Sequence, residues 1–263
     1  MIKTLGLQLY TIRDHMKDAD EIRQSFKKLK ELGYTEAQTA GSGGVSHSEL
    51  GELAKECGIK IVGTHYGFDF MESNFEQTIA DHKALGTTNC GIGGYWALTT
   101  KDEVEAFIKR ANAVADKLYE HGLKFTYHNH SHEFKKVDGN VSAWDMLIDG
   151  LNPEKTSFVL DTCWIANAGG DVCQWIEKLA GRIDILHLKD RGYTMIDYDP
   201  ESDDRYRLDL MEVGGGNLNW DGIIKSAEKA GIKYYCVEQD RNFTEGTAFD
   251  YLKKSADFLK KYM

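Results

Sequence analysis

The chain has 263 residues, of which 41% are hydrophobic and 11% aromatic, so it can build a packed core and is not a disordered polymer. Its 32 Lys plus Arg against 42 Asp plus Glu give a formal charge of −10, which argues against a nucleic-acid partner because that binding needs clustered Lys and Arg. Residues 1–14 lack the pattern of a secretory signal, and no stretch approaches the roughly 18 apolar residues of a membrane span. We therefore expect a cytoplasmic protein without a membrane partner.

Eight β-like runs follow one another along the chain. They cover residues 4–9, 34–39, 59–65, 89–93, 123–130, 157–162, 184–189 and 234–239. Helical patterns separate them, and the last helix, at about 247–262, closes the chain. Glycine prefers the position after a helix because it adopts the left-handed conformation at little cost. Seven glycines mark such helix-to-strand junctions: Gly33, Gly58, Gly86, Gly122, Gly150, Gly181 and Gly231.

Alternating strands and helices of this number predict a (β/α)8 TIM barrel of the α/β class, formed by one domain over residues 1–263. The rival architecture is a doubly wound open sheet, but the chain has neither GxGxxG after the first strand nor GxxxxGK[ST]. Three pairs with capping-box spacing predict helix starts: Ser46 with Glu49, Ser73 with Glu76, and Thr100 with Glu103.

Metal-ligating residue types stand at the ends of four consecutive predicted strands. His128 and His130 end the fifth strand, Asp161 the sixth, His187 lies in the seventh and Glu238 in the eighth. In a barrel the chemistry sits at the carboxyl ends of the strands, so these side chains are expected to converge. A mixed oxygen and nitrogen cage suits one divalent metal ion, such as Mn, Mg, Co or Zn.

Strand alternation supports this convergence. Asp161, His187 and Glu238 each share a strand face with the residue two positions earlier. Those residues are compact enough to fill a layer inside the barrel: Val159, Ile185 and Cys236.

The longest interruption of the pattern covers residues 191–217 and mixes aromatic and Arg residues with many acids. We interpret it as a lid or a subunit contact, and a solvated acidic loop is the alternative. Gly214, Gly215 and Gly216 at its end precede a helix, where barrels often bind phosphate through backbone amides. Phosphate binding is the less favoured interpretation, because no Ser/Thr-rich partner follows the eighth strand.

Five blocks of sequence at these strand ends form a recognisable set. They are residues 6–14, His128-Asn129-His130 with Glu133-Phe134, residues 160–164 with 169–171, residues 187–190, and residues 237–240. Together they resemble the xylose isomerase-like TIM-barrel family of sugar phosphate isomerases and epimerases, across nearly the whole chain. The set is specific to that superfamily and much less specific for a substrate.

The resemblance implies a divalent metal held by Glu, Asp, His and Glu from four successive strands. It assigns three of these ligands to Asp161, His187 and Glu238. By strand position the first ligand falls on His128, unless Glu133 reaches back from the loop. We favour Glu133, with His128 and His130 beside the metal.

Gln38 and Trp164 depart from the family pattern, which often has Glu and His there, and this weakens the case for a standard ketose epimerase. The catalytic residues expected on this basis are His128, His130, Lys189 and Glu238. The substrate-binding residues expected are Gln8, His65, Trp164 and Arg191.

The implied chemistry is removal of a proton next to the carbonyl of a small sugar or keto-polyol. A sugar isomerase or epimerase is the leading hypothesis. A dehydratase or lyase of a keto-inositol or 3-keto-glycoside is the alternative, because a β leaving group turns the same enolate into an elimination. An endonuclease-like phosphodiesterase and a non-catalytic sugar-binding protein are further alternatives, and a homo-oligomer is possible.

Overall fold

Eight parallel strands, seen in a computed structural model, curl into one nearly closed barrel with helices between them. The structure describes residues 1–199 and 204–263, and the side chains of these except 196–199 and 204. The strands are β1 (Leu5–Gln8), β2 (Tyr34–Ala40), β3 (Lys60–His65), β4 (Asn89–Ile92), β5 (Lys124–His128), β6 (Thr156–Asp161), β7 (Ile183–Leu188) and β8 (Tyr234–Val237). Their order in the sheet is β3-β2-β1-β8-β7-β6-β5-β4, so the (β/α)8 prediction is confirmed.

The helices are α1 (Ala19–Glu31), α2 (His47–Glu56), α3 (Phe68–Ser73), α4 (Phe75–Leu85), α5 (Lys101–Glu120), α6 (Ala143–Gly150), α7 (Thr162–Asn167), α8 (Val172–Lys178), α9 (Trp220–Ala230) and α10 (Ala248–Leu259). Short 3-10 turns lie at Leu9–His15, His132–Phe134 and Lys260–Tyr262. Within the described part of the chain, no helix has both the length and the apolar character needed to cross a membrane.

The barrel interior is a small apolar cluster of Val62, Val159, Ile185 and Cys236, each almost fully buried. Three of these are the compact residues that strand alternation places beneath the polar strand ends. Burying an aliphatic side chain of this size contributes about 1.5–3 kcal/mol. The cluster therefore forms a dry floor, and the polar side chains one step further along the strands stand above it.

Six of the seven junction glycines adopt the left-handed conformation, with φ between +69° and +96°. Gly150 is the exception, because it is the last residue of α6 and has no positive φ. A Cβ atom there would lie 2.8 Å from Cδ1 of Ile108 on α5. Glycine is needed at this position for close helix packing, and not for the backbone conformation that ends a helix.

The predicted helix starts differ in outcome. Thr100 and Glu103 form the complete capping box of α5, and Ser46 caps α2 with its hydroxyl. The start predicted at Ser73 is wrong, because Ser73 ends the separate short helix α3 and Asn74 precedes α4.

The segment after β7 is an antiparallel hairpin whose strands are Asp190–Asp199 and Asp204–Met211. Most of the described part of the predicted interruption is therefore paired strands, and not the loop that the sequence analysis keeps as the alternative. Its base is fixed to the loop after β8, where Asn242 Nδ2 donates to the carbonyl of Leu210 at 2.7 Å. Tyr193 is 63% exposed further along the hairpin, and a lid or subunit contact stays a prediction.

Asp184, at the amino-terminal end of the barrel, is expected to stabilise the fold at neutral pH. Burial alone would raise its pKa, but the hydrogen bond from Lys233 (2.8 Å) and the charge of Lys124 (3.1 Å) outweigh burial and lower the pKa. Asp184→Asn should cost about 1–2 kcal/mol of unfolding free energy at pH 7, measured by urea denaturation. Because the native pKa is depressed, the deficit should be complete above pH about 4 and shrink as pH falls through the native pKa.

The exposed ion pair of Asp116 and Lys155 (2.8 Å) provides the control. Asp116→Asn should change the unfolding free energy much less, since solvent screens that pair. Equal losses in the two variants, or a loss in Asp184→Asn that does not depend on pH, would contradict the prediction.

Candidate active site

Four buried side chains converge at the carboxyl ends of consecutive strands. His128 ends β5, Asp161 ends β6, His187 lies in β7 and Glu238 follows β8. One ligand atom from each lies within 4.8 Å of the other three. The structure thus brings Asp161, His187 and Glu238 together, and the fourth member of the group is His128.

Hydrogen bonds set which nitrogen of His128 faces the group. Its Nδ1 lies 3.3 Å from the carbonyl oxygen of Gly93, which can only accept, so Nδ1 carries the proton. In the neutral ring the lone pair is on Nε2, which lies 3.4 Å from Oδ2 of Asp161. His128 therefore presents an acceptor nitrogen to the carboxylate.

A chain of amide contacts sets the ring nitrogens of His187 in the same way. The backbone N–H of Tyr10 donates to Oε1 of Gln8 at 3.2 Å, so the Gln8 nitrogen faces Oε1 of Gln38 and donates to it at 3.1 Å. That oxygen also accepts from Nε2 of His187 at 2.5 Å. In the neutral ring the His187 lone pair is then on Nδ1, 2.9 Å from Oε2 of Glu238.

These four residues fit a divalent cation. Nδ1 of His187 and Oε2 of Glu238 are buried and lie close together, yet neither makes a hydrogen bond within the described part of the chain. Two imidazole nitrogens and two carboxylates form the donor set of many Zn, Mn and Co sites. A second N–H held by a backbone carbonyl or an amide oxygen, as in His128 and His187, is typical of metal-ligating histidines.

The electrostatics of the site favour positive charge. Burial alone would lower the pKa of His187, but Glu238 and Asp161 outweigh burial and raise it to about 9. Burial alone would raise the pKa values of Asp161 and Glu238. The neighbouring charge of Lys189, with contributions from His128 and His187, holds both pKa values below the ordinary ones. A cation placed among these groups would therefore meet two ionised carboxylates.

Lys189 supplies a buried ammonium at the edge of the group. Its Nζ lies 2.7 Å from Oδ2 of Asp240 and 3.3 Å from Oε2 of Glu238. The ring of Trp164 lies 4.7 Å from it. Burial opposes the charged form, but the surrounding carboxylates raise the pKa of Lys189 above its ordinary value. Lys189 is therefore a fixed positive charge and a hydrogen-bond donor, and not a base.

His65 presents a free N–H to the site. Its Nδ1 lies 3.1 Å from the Gln8 amide nitrogen, which can only donate, so the neutral ring carries its proton on Nε2. That Nε2 is buried and has no hydrogen-bond partner among the described residues. Burial and the nearby rings of His128 and His187 hold the pKa of His65 well below its ordinary value, so the ring is neutral at pH 7.

A cavity of about 430 Å³ opens over the group. At its rim Tyr10 is 43% exposed and Trp96 is 68% exposed. Oδ1 of Asp240 is buried beside it and has no hydrogen-bond partner among the residues that the structure describes. Burial together with Glu238 raises the pKa of Asp240. The lining residues are Tyr10, Ala40, His65, Gly93, Trp96, His128, His130, Lys189, Glu238 and Asp240.

The structure places Glu133 outside the four-residue group. Its buried carboxylate accepts hydrogen bonds from Oη of Tyr127 and from the backbone N–H of His130, both at 2.8 Å. The 3-10 turn at His132–Phe134 folds the carboxylate back against its own loop. His128 therefore stands where the sequence analysis favours Glu133.

Three of the expected substrate-binding residues do not line the cavity. Gln8 is fully buried and orients His65, and Arg191 contacts the side chain of Asn167. Trp164 packs beneath Lys189 and beside His130, with its ring centre 5.4 Å from that of the imidazole. Gln8 and Trp164 therefore support residues that line the cavity, and His65 is the expected residue that faces it.

Sequence reasoning does not identify Trp96 or Asp240 as cavity residues. Both follow strand ends, Trp96 in the loop after β4 and Asp240 after β8. The rule that identifies His128 and Asp161 would find them if it were extended three or four residues beyond each strand. Asp240 belongs to the sequence block at residues 237–240, but in that block the family pattern assigns the metal ligand to Glu238.

The glycine run after the hairpin already holds an anion of the protein itself. Asp190 accepts hydrogen bonds from five donors: the backbone N–H groups of Arg191, Gly214, Gly216 and Leu218, and Nε1 of Trp220. The distances range from 2.6 Å for Trp220 to 3.3 Å for Leu218. These amides bind a carboxylate of the chain, and they are not free for a phosphate.

Asp190→Asn is expected to destabilise the fold strongly, because the new amide group brings N–H donors against donors. We expect a loss of about 2–4 kcal/mol in unfolding free energy, measured by urea denaturation. Asp14→Asn, at an exposed aspartate, is the control and should lie within about 0.5 kcal/mol of the unaltered protein. If Asp190→Asn loses no more unfolding free energy than the control, the hydrogen bonds to Asp190 contribute nothing to stability.

The strand order and the polar strand ends define an α/β barrel of eight units whose chemistry sits at the carboxyl end of the barrel. The chain belongs to the xylose isomerase-like TIM barrel family, whose sequence profile matches residues 26–262.

Relatives within this family carry two kinds of activity in their names. An inosose dehydratase of Geobacillus thermodenitrificans is 23% identical over 213 residues, which is 78% of this chain and 66% of that protein. A sugar phosphate isomerase/epimerase of Parabacteroides distasonis superposes with a TM-score of 0.79 at 25% identity, covering 99% of this chain and 98% of that one. The IOLI protein, solved with a zinc atom, has a TM-score of 0.72 at 14% identity, covering 99% of both chains. The matches span about half to two thirds of the length of the curated relatives.

Proposed function

We propose that the chain is a divalent-metal-dependent dehydratase or lyase of a small cyclic keto-polyol or keto-sugar. In this reaction a proton leaves the carbon next to the carbonyl, and the oxygen β to the carbonyl departs. One observation carries the proposal: the cavity is lined by both an acceptor and donors. The acceptor is Oδ1 of Asp240, which has no hydrogen-bond partner among the described residues, and the N–H donors belong to His65 and Lys189. The inosose dehydratases among the relatives support it.

His128, Asp161, His187 and Glu238 are the residues that would hold the metal. A divalent ion bound there supplies Lewis acidity that polarises the substrate carbonyl and stabilises the negative charge developing on its oxygen. Hydrogen bonds from His128 to Gly93 and from His187 to Gln38 keep their other ring nitrogens available for this purpose.

Asp240 is the proposed general base. Its Oδ1 borders the cavity with no hydrogen-bond partner in the described part of the chain, and its raised pKa makes it a stronger base than an ordinary aspartate. Lys189 holds the other oxygen of this carboxylate at 2.7 Å and so orients it. The lysine ammonium also lies where it can stabilise negative charge on the substrate.

His65 is the proposed hydrogen-bond donor to the departing oxygen. Its Nε2–H is unpaired among the described residues and lies on the wall formed by β3, whereas Asp240 follows β8. A neutral imidazole has no excess proton, so its N–H would stabilise charge on the departing oxygen by a hydrogen bond. The proton that Asp240 takes from carbon would then leave with that oxygen. His65 lines the same cavity as Asp240.

An isomerase or epimerase is the second candidate. The sugar phosphate isomerase/epimerase of Parabacteroides distasonis at 25% identity favours it. The same base would remove the proton, and a donor on another wall would return it to a different carbon or face. The two candidates share the metal and Asp240 and differ in whether a carbon–oxygen bond breaks.

Deuterium exchange separates the candidates. Protein loaded with Mn²⁺, Co²⁺ or Zn²⁺ is incubated in D2O with keto-inositols, 3-keto-glycosides and ketoses, and the products are followed by NMR. Loss of water or of an aglycone supports the proposed elimination, and deuterium in an isomerised sugar without elimination supports the second candidate. Asp161→Asn should abolish either activity by weakening metal binding. Neither reaction with any metal or substrate would overturn both.

Asp240→Asn provides a sharper test, because it should separate catalysis from metal binding. We expect exchange to fall by about 10²–10⁴-fold, since a general base contributes that much, while the metal content per chain stays unchanged. Metal content is measured by mass spectrometry after gel filtration, and Asp161→Asn is the contrasting variant that loses the metal. Full activity in Asp240→Asn would remove Asp240 from the mechanism.

A further inference from the structure

A second group of metal-ligand residues lies on the loop after β5, beside the proposed metal site. His130, His132 and Glu133 each offer one ligand atom, and these atoms lie within 4.8 Å of one another. None of the three belongs to the four-residue group described above. Glu133 is fully buried, and the two histidines are partly buried.

His132 faces Glu133 with a nitrogen that has no proton to donate in the neutral ring. Its Nε2 lies 2.9 Å from the carbonyl oxygen of Tyr95, which can only accept, so the proton is on Nε2. The lone pair is then on Nδ1, which is buried, has no hydrogen-bond partner among the described residues and lies 3.5 Å from Oε2 of Glu133. Two acceptors therefore face each other in the protein interior, an arrangement that a cation between them would stabilise.

The carboxylate of Glu133 is fixed in place by Tyr127 and by the backbone of His130, one donor to each oxygen. Nδ1 of His130 is also buried and has no hydrogen-bond partner in the part of the chain that the structure describes. A Cβ atom at Gly94 would lie 3.0 Å from this ring, so the backbone packs tightly against it and restricts its rotation. The three groups are held in position before any ligand arrives.

We propose that His130, His132 and Glu133 bind a second divalent cation of the zinc or cobalt type. Two imidazoles and one carboxylate suit these borderline metals better than Mg²⁺ or Ca²⁺, which prefer oxygen ligands. Three protein ligands leave coordination positions open, and His130 lines the cavity. The second cation therefore has access to a substrate hydroxyl. This site goes beyond the proposed function, whose own metal site is complete without it.

Trp96 provides a spectroscopic reporter for this site. Its ring stacks on His132 with ring centres 4.6 Å apart and an interplanar angle of 27°. It also lies 4.9 Å from the ring of His130. A paramagnetic ion bound to these imidazoles should quench the fluorescence of Trp96.

Zinc stoichiometry tests the proposal directly. After loading with Zn²⁺ and gel filtration, the unaltered protein should hold two ions per chain. His132→Gln should hold one, because the amide can keep the hydrogen bond to Tyr95 but replaces the ligand nitrogen. Asp161→Asn should also hold one, and the control His121→Gln, at an exposed histidine that ends α5, should hold two.

The outcomes separate this inference from the proposed function. One ion in the unaltered protein and none in Asp161→Asn would overturn the second site and leave the first in place. No ion in the unaltered protein would overturn both. Two ions in a folded His132→Gln would overturn the ligand assignment.

Quenching by Co²⁺ keeps the test decisive if His132→Gln fails to fold. The unaltered protein should lose fluorescence as Co²⁺ is added, and Trp96→Phe should lack the part of the quenching that comes from this site. The chain has five tryptophans, so the difference between the two proteins is the measured quantity. Equal quenching in both proteins would contradict a cation beside His132.

Discussion

The hydrogen bond from His187 to Gln38 determines the character of the whole site. It crosses the barrel from β7 to β2, and in the neutral ring it holds the proton of His187 on the nitrogen that faces away from the carboxylates. Gln8 supports the same oxygen of Gln38 and also orients His65, so one buried amide pair sets two imidazoles at once. A glutamine suits this position because its oxygen accepts two donors without adding a third negative charge beside Asp161 and Glu238.

The barrel could be predicted from the sequence because its signals are local. A glycine that ends a helix and a β-rich run that follows it require only neighbouring residues, and the strand ends then locate Asp161, His187 and Glu238. Gly150 shows where this reasoning stops, because its neighbour Ile108 is distant in sequence. Sequence spacing also fails to predict the break between α3 and α4. Ser73 has the right spacing from Glu76 for a helix cap, but in the structure it ends α3.

The remaining part of the site depends on which way side chains turn. Strand position points to His128 as the first ligand, whereas the residue type of the family pattern favours Glu133 in the loop that follows. In the structure Tyr127 and the backbone of His130 donate hydrogen bonds to the carboxylate of Glu133 and hold it away from the four-residue group. Asp240 is not marked by the sequence because its proposed role depends on two spatial features. One oxygen has no hydrogen-bond partner among the described residues, and Lys189 holds the other.

Asp190 follows Lys189 directly, and the two side chains have separate partners. The carboxylate is clamped by the amides of the glycine loop, while the ammonium points into the cavity toward Asp240. Any swing of the hairpin that begins at Asp190 must act against this clamp before it can displace the lysine. The hydrogen bonds to Asp190 therefore separate movement of the exposed hairpin from the position of the Lys189 ammonium. The hairpin could exchange partners or positions while the electrostatic field over the substrate stays constant.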